Sequence, residues 1–160
     1  MEKKDLHQLL EECVELSGEE DLKVLASMLE SAKTKLSGNG SYIGRLLQMK
    51  RKQEKDRYEI SIPLSALVLN NLGIVHGGIT ATVLDSAMGS LAYTALPEGY
   101  AAVTSQLNIH YLAPGTGADL NCVATIIHQG KQTLVVEGQI FREDGRKIAH
   151  ATGTFFVVKK

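Results

Sequence analysis

Within residues 2–36 the apolar side chains return every three or four positions, a spacing that is typical of amphipathic helices. The two apolar stripes consist of Leu6, Leu9, Leu10, Cys13 and Val14, followed by Leu22, Leu25, Ala26 and Leu29. Polar Ser17-Gly18 separates the stripes, so we predict two helices with a break at that point. A polar loop, residues 37–40, then follows, and we assign residues 1–40 to an N-terminal helical extension.

The chain after residue 56 mostly shows the alternation and the β-branched and aromatic residues of strands. Arg57–Leu64 alternates apolar and polar side chains. Four further segments are predicted strands, namely Ala101–Leu112, Leu120–His128, Thr133–Arg142 and Lys147–Val158. Short links that contain glycine separate these four, and such links predict hairpins between successive strands. Ile43–Lys52 fits neither period, so its residues leave helix and strand both open.

One long helix is predicted between the first of these strands and the others. From Gly77 to Leu96 the side chains are mostly small and apolar, and Asp85 alone is charged. Roughly 20 residues at 3.6 per turn make a helix of about five turns. A largely apolar helix followed by four strands predicts an α+β fold in which an antiparallel sheet wraps around the helix. We assign residues 41–160 to this second domain.

Composition and charge narrow the function classes. The chain has 160 residues and a net charge of −1, so no overall field attracts nucleic acid or anionic lipid. It shows no apolar run long enough for a membrane span and no apolar core near its N-terminus that would mark a signal peptide. We therefore expect a cytoplasmic protein that binds neither nucleic acid nor membrane, with Cys13 and Cys122 as free, buried thiols.

Asp85 is the first candidate for chemistry. A carboxylate among apolar side chains must be paired, protonated or ready to react, because removing an unpaired charge from water costs several kcal/mol. No Lys or Arg occurs from Tyr58 to Gly130, so a local ion pair is excluded. Asp85 therefore suits a general base or a carboxylate nucleophile. The alternative is a structural carboxylate that caps a nearby loop or pairs with a distant arginine.

The start of the predicted helix is the second candidate. His76 precedes Gly77 and Gly78, and a helix N-terminus with small residues offers exposed N–H groups to a carbonyl oxygen. The two glycines are equally consistent with a simple turn, and His76 with a helix cap. Asn70, six residues before His76, could hydrogen-bond a water or a carbonyl at the helix mouth.

These two candidates cannot act together within one subunit. Gly77 and Asp85 are eight positions apart, which is about 12 Å along a helix axis. Reacting groups must come within about 3–3.5 Å of one substrate atom. We therefore predict a dimer in which two antiparallel copies of the helix form two shared sites across a two-fold axis.

Other signatures of catalysis and cofactor binding are missing from the sequence. Phosphate-binding glycine loops, nucleophile elbows and zinc-ligand spacings do not occur, and the histidines are scattered. We expect neither a metal nor a redox cofactor. Thr104 and Ser105, on the strand after the helix, are ordinary strand residues unless their hydroxyl groups face Asp85.

The spacing Asn-x-x-Gly-x-x-His-Gly-Gly across residues 70–78, followed by Asp85 in a helix of small residues, resembles the hotdog-fold acyl-CoA thioesterases. It is most similar to their phenylacetate-degradation-type group, in the 4-hydroxybenzoyl-CoA thioesterase superfamily. Residues 102–114 resemble the strand that follows the helix in that family. The resemblance covers residues 42–160 and leaves the N-terminal 40 residues without a motif.

The resemblance implies a hotdog fold, in which the sheet wraps around the long helix, edge-to-edge dimers and usually homotetramers. It also implies that Ile43–Lys52 is an additional strand. By the family pattern Asp85 is the general base or nucleophile, the Gly77 N–H polarises the thioester carbonyl, and Asn70 positions water or that carbonyl. His76 supports the loop, and Thr104 replaces a serine of the family, which keeps the hydroxyl group and adds a methyl.

Coenzyme A would supply phosphates for basic side chains at the rim of the sheet. We assign substrate binding to six residues, Gly78, Ser105, Lys131, Arg142, Arg146 and Lys147. Solvated charges in turns are an equally good interpretation of the four basic ones.

The predicted function is hydrolysis of acyl-CoA thioesters to a free acid and coenzyme A, with CoA entering only as part of the substrate. Two alternatives remain open at this point. One is a non-catalytic acyl-CoA sensor of the same fold. The other is a hydratase or dehydratase, which would need a histidine–carboxylate pair. The sequence leaves the acyl group open.

Overall fold

The structure, a computed structural model, describes residues 2–160. These form two compact units, one that ends at Gln48 and one that comprises Met49–Lys160. None of the helices described between residues 2 and 160 combines the length and the hydropathy that crossing a membrane requires.

The first unit contains the two helices that the apolar stripes predict. Helix α1 spans Lys3–Leu16 and α2 spans Glu19–Leu36, so the predicted break at Ser17-Gly18 is confirmed. A short helix, α3 (Tyr42–Leu46), packs on α2. The side-chain amide of Gln48 also donates to Ser27 Oγ of α2 at 2.9 Å. These contacts place residues 41–48 with the helices, whereas the sequence placed the domain boundary at residue 40.

The expected additional strand over Ile43–Lys52 is wrong in its first half. Ser41 caps α3 by accepting a hydrogen bond from Gly44 N at 3.1 Å, which starts a helical turn at Tyr42. Gln48 then takes a positive φ of 49°, which ends the helical segment. The strand begins at Lys50, so residues 43–46 are helical and only residues 50–52 of the segment are extended.

The second unit is a six-stranded antiparallel sheet with a long helix packed against it. The helix, α4, spans Gly77–Thr94, close to the predicted Gly77–Leu96. The sheet order is β1-β2-β4-β5-β6-β3. Its strands are β1 (Lys50–Glu54), β2 (Arg57–Pro63), β3 (Tyr100–Tyr111), β4 (Asp119–Gln129), β5 (Thr133–Arg142) and β6 (Lys147–Lys159). The α+β class and all five predicted strands are therefore confirmed.

The expected hairpin between β3 and β4 is wrong, because β3 pairs with β6 at the edge of the sheet. The link between them crosses the end of the sheet instead of turning back. Gly115 in this link accepts a hydrogen bond from Val75 N at 2.9 Å. A Cβ on Gly115 would lie 2.3 Å from Val75 Cγ1, so the close crossing requires glycine. The hairpins β4–β5 and β5–β6 are as predicted.

The core lies between α4 and the inner face of the sheet. One side of α4 is buried, including Leu84 and Met88, whereas Asp85 is only partly buried. The helix approaches β5 closely at Gly138, where a Cβ would lie 2.9 Å from Leu84 Cδ2 and 3.0 Å from the sulfur of Met88. A side chain at position 138 would therefore have to displace the buried side chains of Leu84 and Met88.

The two thiols differ, contrary to the expectation that both are buried. Cys122 on β4 is fully buried, and burial raises its pKa to about 12. Cys13 is free but only partly buried, and it lies on α1, a helix without any buried residue.

We predict that one hydrogen-bonded histidine–carboxylate pair on the outer face of the sheet makes stability depend on pH. His150 Nε2 lies 2.6 Å from Glu137 Oε1, and this hydrogen bond lowers the pKa of Glu137 below its ordinary 4.5. Because the pKa of this carboxyl group is lower in the folded protein than in the unfolded chain, the hydrogen bond stabilises the fold when the pH is above the unfolded pKa. This stabilisation is lost as the pH falls through the folded pKa. The melting temperature of wild type should therefore exceed that of Glu137→Gln at about pH 5–6, and the difference should shrink toward about pH 3. An unchanged difference would contradict the prediction, and Glu98→Gln in an exposed loop is the control.

Candidate active site

The start of α4 is capped by the side chain of His76. Its Nδ1 accepts a hydrogen bond from Gly78 N at 2.9 Å, and its backbone carbonyl accepts from the amides of Ile79 and Thr80. The interpretation of His76 as an N-cap is therefore confirmed. This arrangement engages the amide of Gly78. Among the hydrogen bonds of residues 2–160, none uses the Gly77 N–H, so this group can donate to a ligand.

Tyr111 holds the same turn from the end of β3. Its hydroxyl donates to the Gly77 carbonyl oxygen at 2.9 Å, and its ring lies 3.6 Å from the position that a Cβ on Gly77 would occupy. The sequence did not single out this tyrosine. The only signal was its place in the strand segment that resembles the family, which shows a position on β3 and not a contact with α4.

A cavity of about 370 Å³ opens at this helix start. Gly77 and Tyr111 line it together with Asn70, Thr80, Gly115 and Ile148. Asn70 stabilises the preceding loop, because its Oδ1 accepts from the amides of Leu72 and Ile74 at 2.9 and 3.4 Å. The structure thus brings Asn70, His76 and Gly77 to one place, as the sequence expects, and gives Asn70 a loop-forming contact in addition.

Asp85 lies elsewhere on α4, beside the edge strand. Thr104 Oγ1 donates to Asp85 Oδ1 at 2.8 Å, and both residues are accessible to solvent. The hydroxyl group of Thr104 therefore faces Asp85, a point that the sequence left open. The carboxylate keeps its second oxygen available, and the hydrogen bond fixes the orientation of the first. Asp85 does not line the cavity at Gly77.

Ser105 does not join this pair. The register of β3 against β6 shifts between Thr104 and Gln106, so Ser105 sits at an irregularity of the strand. Its hydroxyl donates to the carbonyl of Thr154 at 3.0 Å.

The four basic residues are spread over two ends of the sheet. Lys131 lies in the β4–β5 turn, about 30 Å along β5 from the β5–β6 turn that carries the other three. Arg142 is engaged there by Asp144 and by Thr116 Oγ1, the latter at 3.1 Å. Lys147 Nζ lies 5.7 Å from the centroid of the Phe141 ring. One subunit therefore does not bring all four to one substrate.

Residues 2–160 contain no group of three or more His, Cys, Asp or Glu side chains placed to hold one metal ion. The chemical groups at hand are an amide donor at Gly77 and a carboxylate at Asp85 with a hydroxyl beside it. An amide donor can stabilise a developing oxyanion, and a carboxylate can accept a proton or attack a carbonyl carbon.

Comparison with known proteins identifies the family. The model of the thioesterase superfamily matches residues 72–149. The crystal structure of the BH2602 protein from Bacillus halodurans with CoA is 44% identical and has a TM-score of 0.85, covering 91% of this chain and 97% of that one. Acyl-coenzyme A thioesterase PaaI of Escherichia coli K12 is 34% identical over 91 residues, which are 56% of this chain and 63% of PaaI. Acyl-coenzyme A thioesterase 13 of Mus musculus is 38% identical over 63 residues, 39% of this chain and 44% of the mouse protein.

Residues 72–149 match the thioesterase superfamily, and the class of protein that this match and the sheet wrapped on α4 define is a hotdog-fold protein of the thioesterase type. The predicted resemblance is confirmed. This chain spans less than two thirds of PaaI and of the mouse protein.

Proposed function

We propose that the protein hydrolyses acyl-CoA thioesters to the free acid and coenzyme A, in sites that two subunits share. One observation carries the proposal: α4 presents a donor amide at Gly77 and, eight residues on, a carboxylate held by Thr104. The CoA-bound BH2602 protein and the acyl-CoA thioesterases among the relatives support the substrate class.

The chemistry follows from the two groups. The thioester carbonyl oxygen accepts a hydrogen bond from the Gly77 N–H at the positive end of α4, which stabilises the oxyanion of the tetrahedral intermediate. The partner subunit's Asp85 either takes a proton from the attacking water or attacks the carbonyl carbon itself. The C–S bond then breaks, and the thiolate of coenzyme A leaves with the proton returned to it or taken from water. Where Asp85 has attacked directly, a water molecule then hydrolyses the anhydride between Asp85 and the acyl group, which releases the free acid and restores the carboxylate.

The edge strand β3 supports the subunit sharing. It is 12 residues long, carries no Lys and no Pro, and exposes Tyr100 and Val103. A long unprotected edge of this kind is a template for pairing with another chain. Pairing of β3 with its copy across a two-fold axis would place the partner's α4 antiparallel and beside Thr104, so a homodimer is the minimum assembly.

The described geometry favours hydrolysis over the hydratase alternative. A hydratase needs a histidine next to a carboxylate at the substrate, whereas His76 is used as the cap of α4. His150 does pair with Glu137, but the alternation of β6 puts His150 on the sheet face opposite the buried Ala149 and Ala151.

The test is a panel of aryl and alkyl CoA thioesters, followed by release of free thiol and by absorbance at the enoyl thioester band. We expect thiol release on at least one class. Binding without thiol release would support the sensor alternative, and a change at the enoyl band without thiol release would support the hydratase. Cys13 is partly exposed and would react with the thiol reagent, so the assay uses the Cys13→Ser variant.

We predict that the hydroxyl of Thr104 contributes to turnover. Thr104→Val keeps the side-chain shape but loses the hydrogen bond to Asp85, and a hydrogen bond to a charged group contributes about 1.5–3 kcal/mol when buried and less here. We expect kcat to fall about three- to tenfold, with Thr104→Ser close to wild type. Equal activity of the valine and serine variants would contradict this role.

A further inference from the structure

Helix α2 carries a heptad repeat that the proposed function does not use. Leu22, Leu29 and Leu36 recur every seven residues, and Leu25 and Ala32 follow the first two by three positions. This is the a/d pattern of a coiled coil. We call these five residues the α2 seam. The three leucines at its a positions are 38%, 48% and 79% exposed.

The α2 seam lies beside the side of the helix that packs on α3. The side toward α3 carries Ser27 and Ser31, the second of which is buried. Exposed Tyr42 and Ile43 of α3 border an apolar groove next to Met28, which continues the apolar surface from the seam. An exposed leucine seam on one face of an 18-residue helix is typical of association with another helix.

The charges that flank the α2 seam are self-complementary in one orientation. The e positions are Glu19, Ala26 and Lys33 in chain order, and the g positions are Asp21, Met28 and Lys35. Two-fold symmetry sets each e position of one helix against an e position of the antiparallel copy, and likewise for g. Glu19 then faces the copy's Lys33, and Asp21 faces the copy's Lys35. A parallel arrangement would instead align acidic with acidic ends.

The first helix of the same chain is a poorer occupant of the seam. An antiparallel hairpin of α1 and α2 would bring Lys3 and Lys4 to the Lys33 and Lys35 end of α2. It would also bring the acidic end of α1, residues 11–15, to the acidic start of α2. Like charges would thus meet at both ends, and in the structure no residue of α1 is buried.

We infer that α2 is an interface between copies of this chain, an antiparallel two-helix coiled coil whose two-fold axis crosses the α2 seam between Leu25 and Leu29. In the monomer Lys23 pairs with Glu19, and Lys35 lies over the Tyr42 ring. These exposed contacts are weak and leave the flanking charges able to pair across the interface. This interface requires no substrate, so a negative result for thioester hydrolysis would not affect it.

Charge reversal tests the orientation. One variant carries Lys33→Glu with Lys35→Glu, and the other carries Glu19→Lys with Asp21→Lys. In each variant alone the charges that flank the α2 seam all have the same sign. Neither variant should therefore form the larger assembly that wild type forms in sedimentation velocity. An equimolar mixture should restore it, because every pair is again opposite. The control is Lys3→Glu with Lys4→Glu, the same charge change on α1, which should keep the wild-type mass.

A cysteine experiment tests the register by crosslinking. In the Cys13→Ser background, Ala26→Cys should form a disulfide between two copies on mild oxidation, because e position 26 faces itself across the axis. Glu30→Cys, on the polar side of α2, should not. Wild-type mass for both charge variants, no recovery on mixing, or equal crosslinking at positions 26 and 30 would each overturn the inference. A smaller assembly that persists in the variants is expected, since β3 offers a separate contact.

Discussion

Asp85→Asn is expected to lower kcat for thioester hydrolysis by at least about 100-fold, if general-base catalysis is its main contribution. Asparagine keeps an oxygen that can accept the hydrogen bond from Thr104, so the local structure should persist. It cannot take a proton from water and cannot form an acyl intermediate. The measurement is steady-state thiol release with a thioester that wild type hydrolyses.

The matched control is Asp56→Asn in the turn between β1 and β2, which should retain wild-type kcat. Circular dichroism and sedimentation should show that Asp85→Asn folds and assembles normally. A folded Asp85→Asn protein with nearly full activity would remove Asp85 from the mechanism.

The second large effect is expected from Gly77→Pro, which removes the one N–H that the mechanism uses. Gly77 is the first residue of α4, where proline fits because its missing N–H has no helical partner. The preceding His76 has φ −64° and ψ 134°, a conformation that tolerates a following proline. Losing one oxyanion donor lowers kcat by about 10²–10³, and we expect a decrease of that size.

Gly77→Ala is the control for Gly77→Pro. It retains the N–H and adds a methyl at ordinary contact distance, 3.6 Å, from the Tyr111 ring. The alanine variant should therefore keep much more activity than the proline variant. Equal losses would point to crowding at the helix start and contradict the donor role.

The same two variants test whether sites are shared. In a mixed dimer of an Asp85→Asn subunit and a Gly77→Pro subunit, one of the two shared sites has both native groups. Coexpression with two different tags should yield a mixed dimer that regains activity that each variant alone lacks. No regain in a purified mixed dimer would mean that each chain contains its own site.

Much of the fold was predictable because its signals are local. The break at Ser17-Gly18, the helix from Gly77 and the hairpin strands after residue 118 depend on the period of apolar residues and on turn residues. The ambiguous segment from Ile43 to Lys52 contains parts of both types, a helical turn followed by a strand, which explains why neither period fits it.

The site was predictable only in part. His76 as a cap and Gly77 as an exposed amide follow from residue type and position at a helix start. The contacts of Tyr111 with Gly77 and of Thr104 with Asp85 join residues 34 and 19 positions apart. Both depend on where β3 lies, and the sequence pattern had paired β3 with β4.

The sequence by itself determined most of the elements of this protein and put a lone carboxylate eight residues after a glycine amide on one helix. It did so because hydrogen bonds within a helix and alternation along a strand are properties of neighbouring residues. Only the tertiary structure decided that β3 is an edge strand paired with β6. That position places Thr104 and Asp85 beside an open sheet edge. No local pattern predicts it, because strand order depends on packing of the whole sheet against α4.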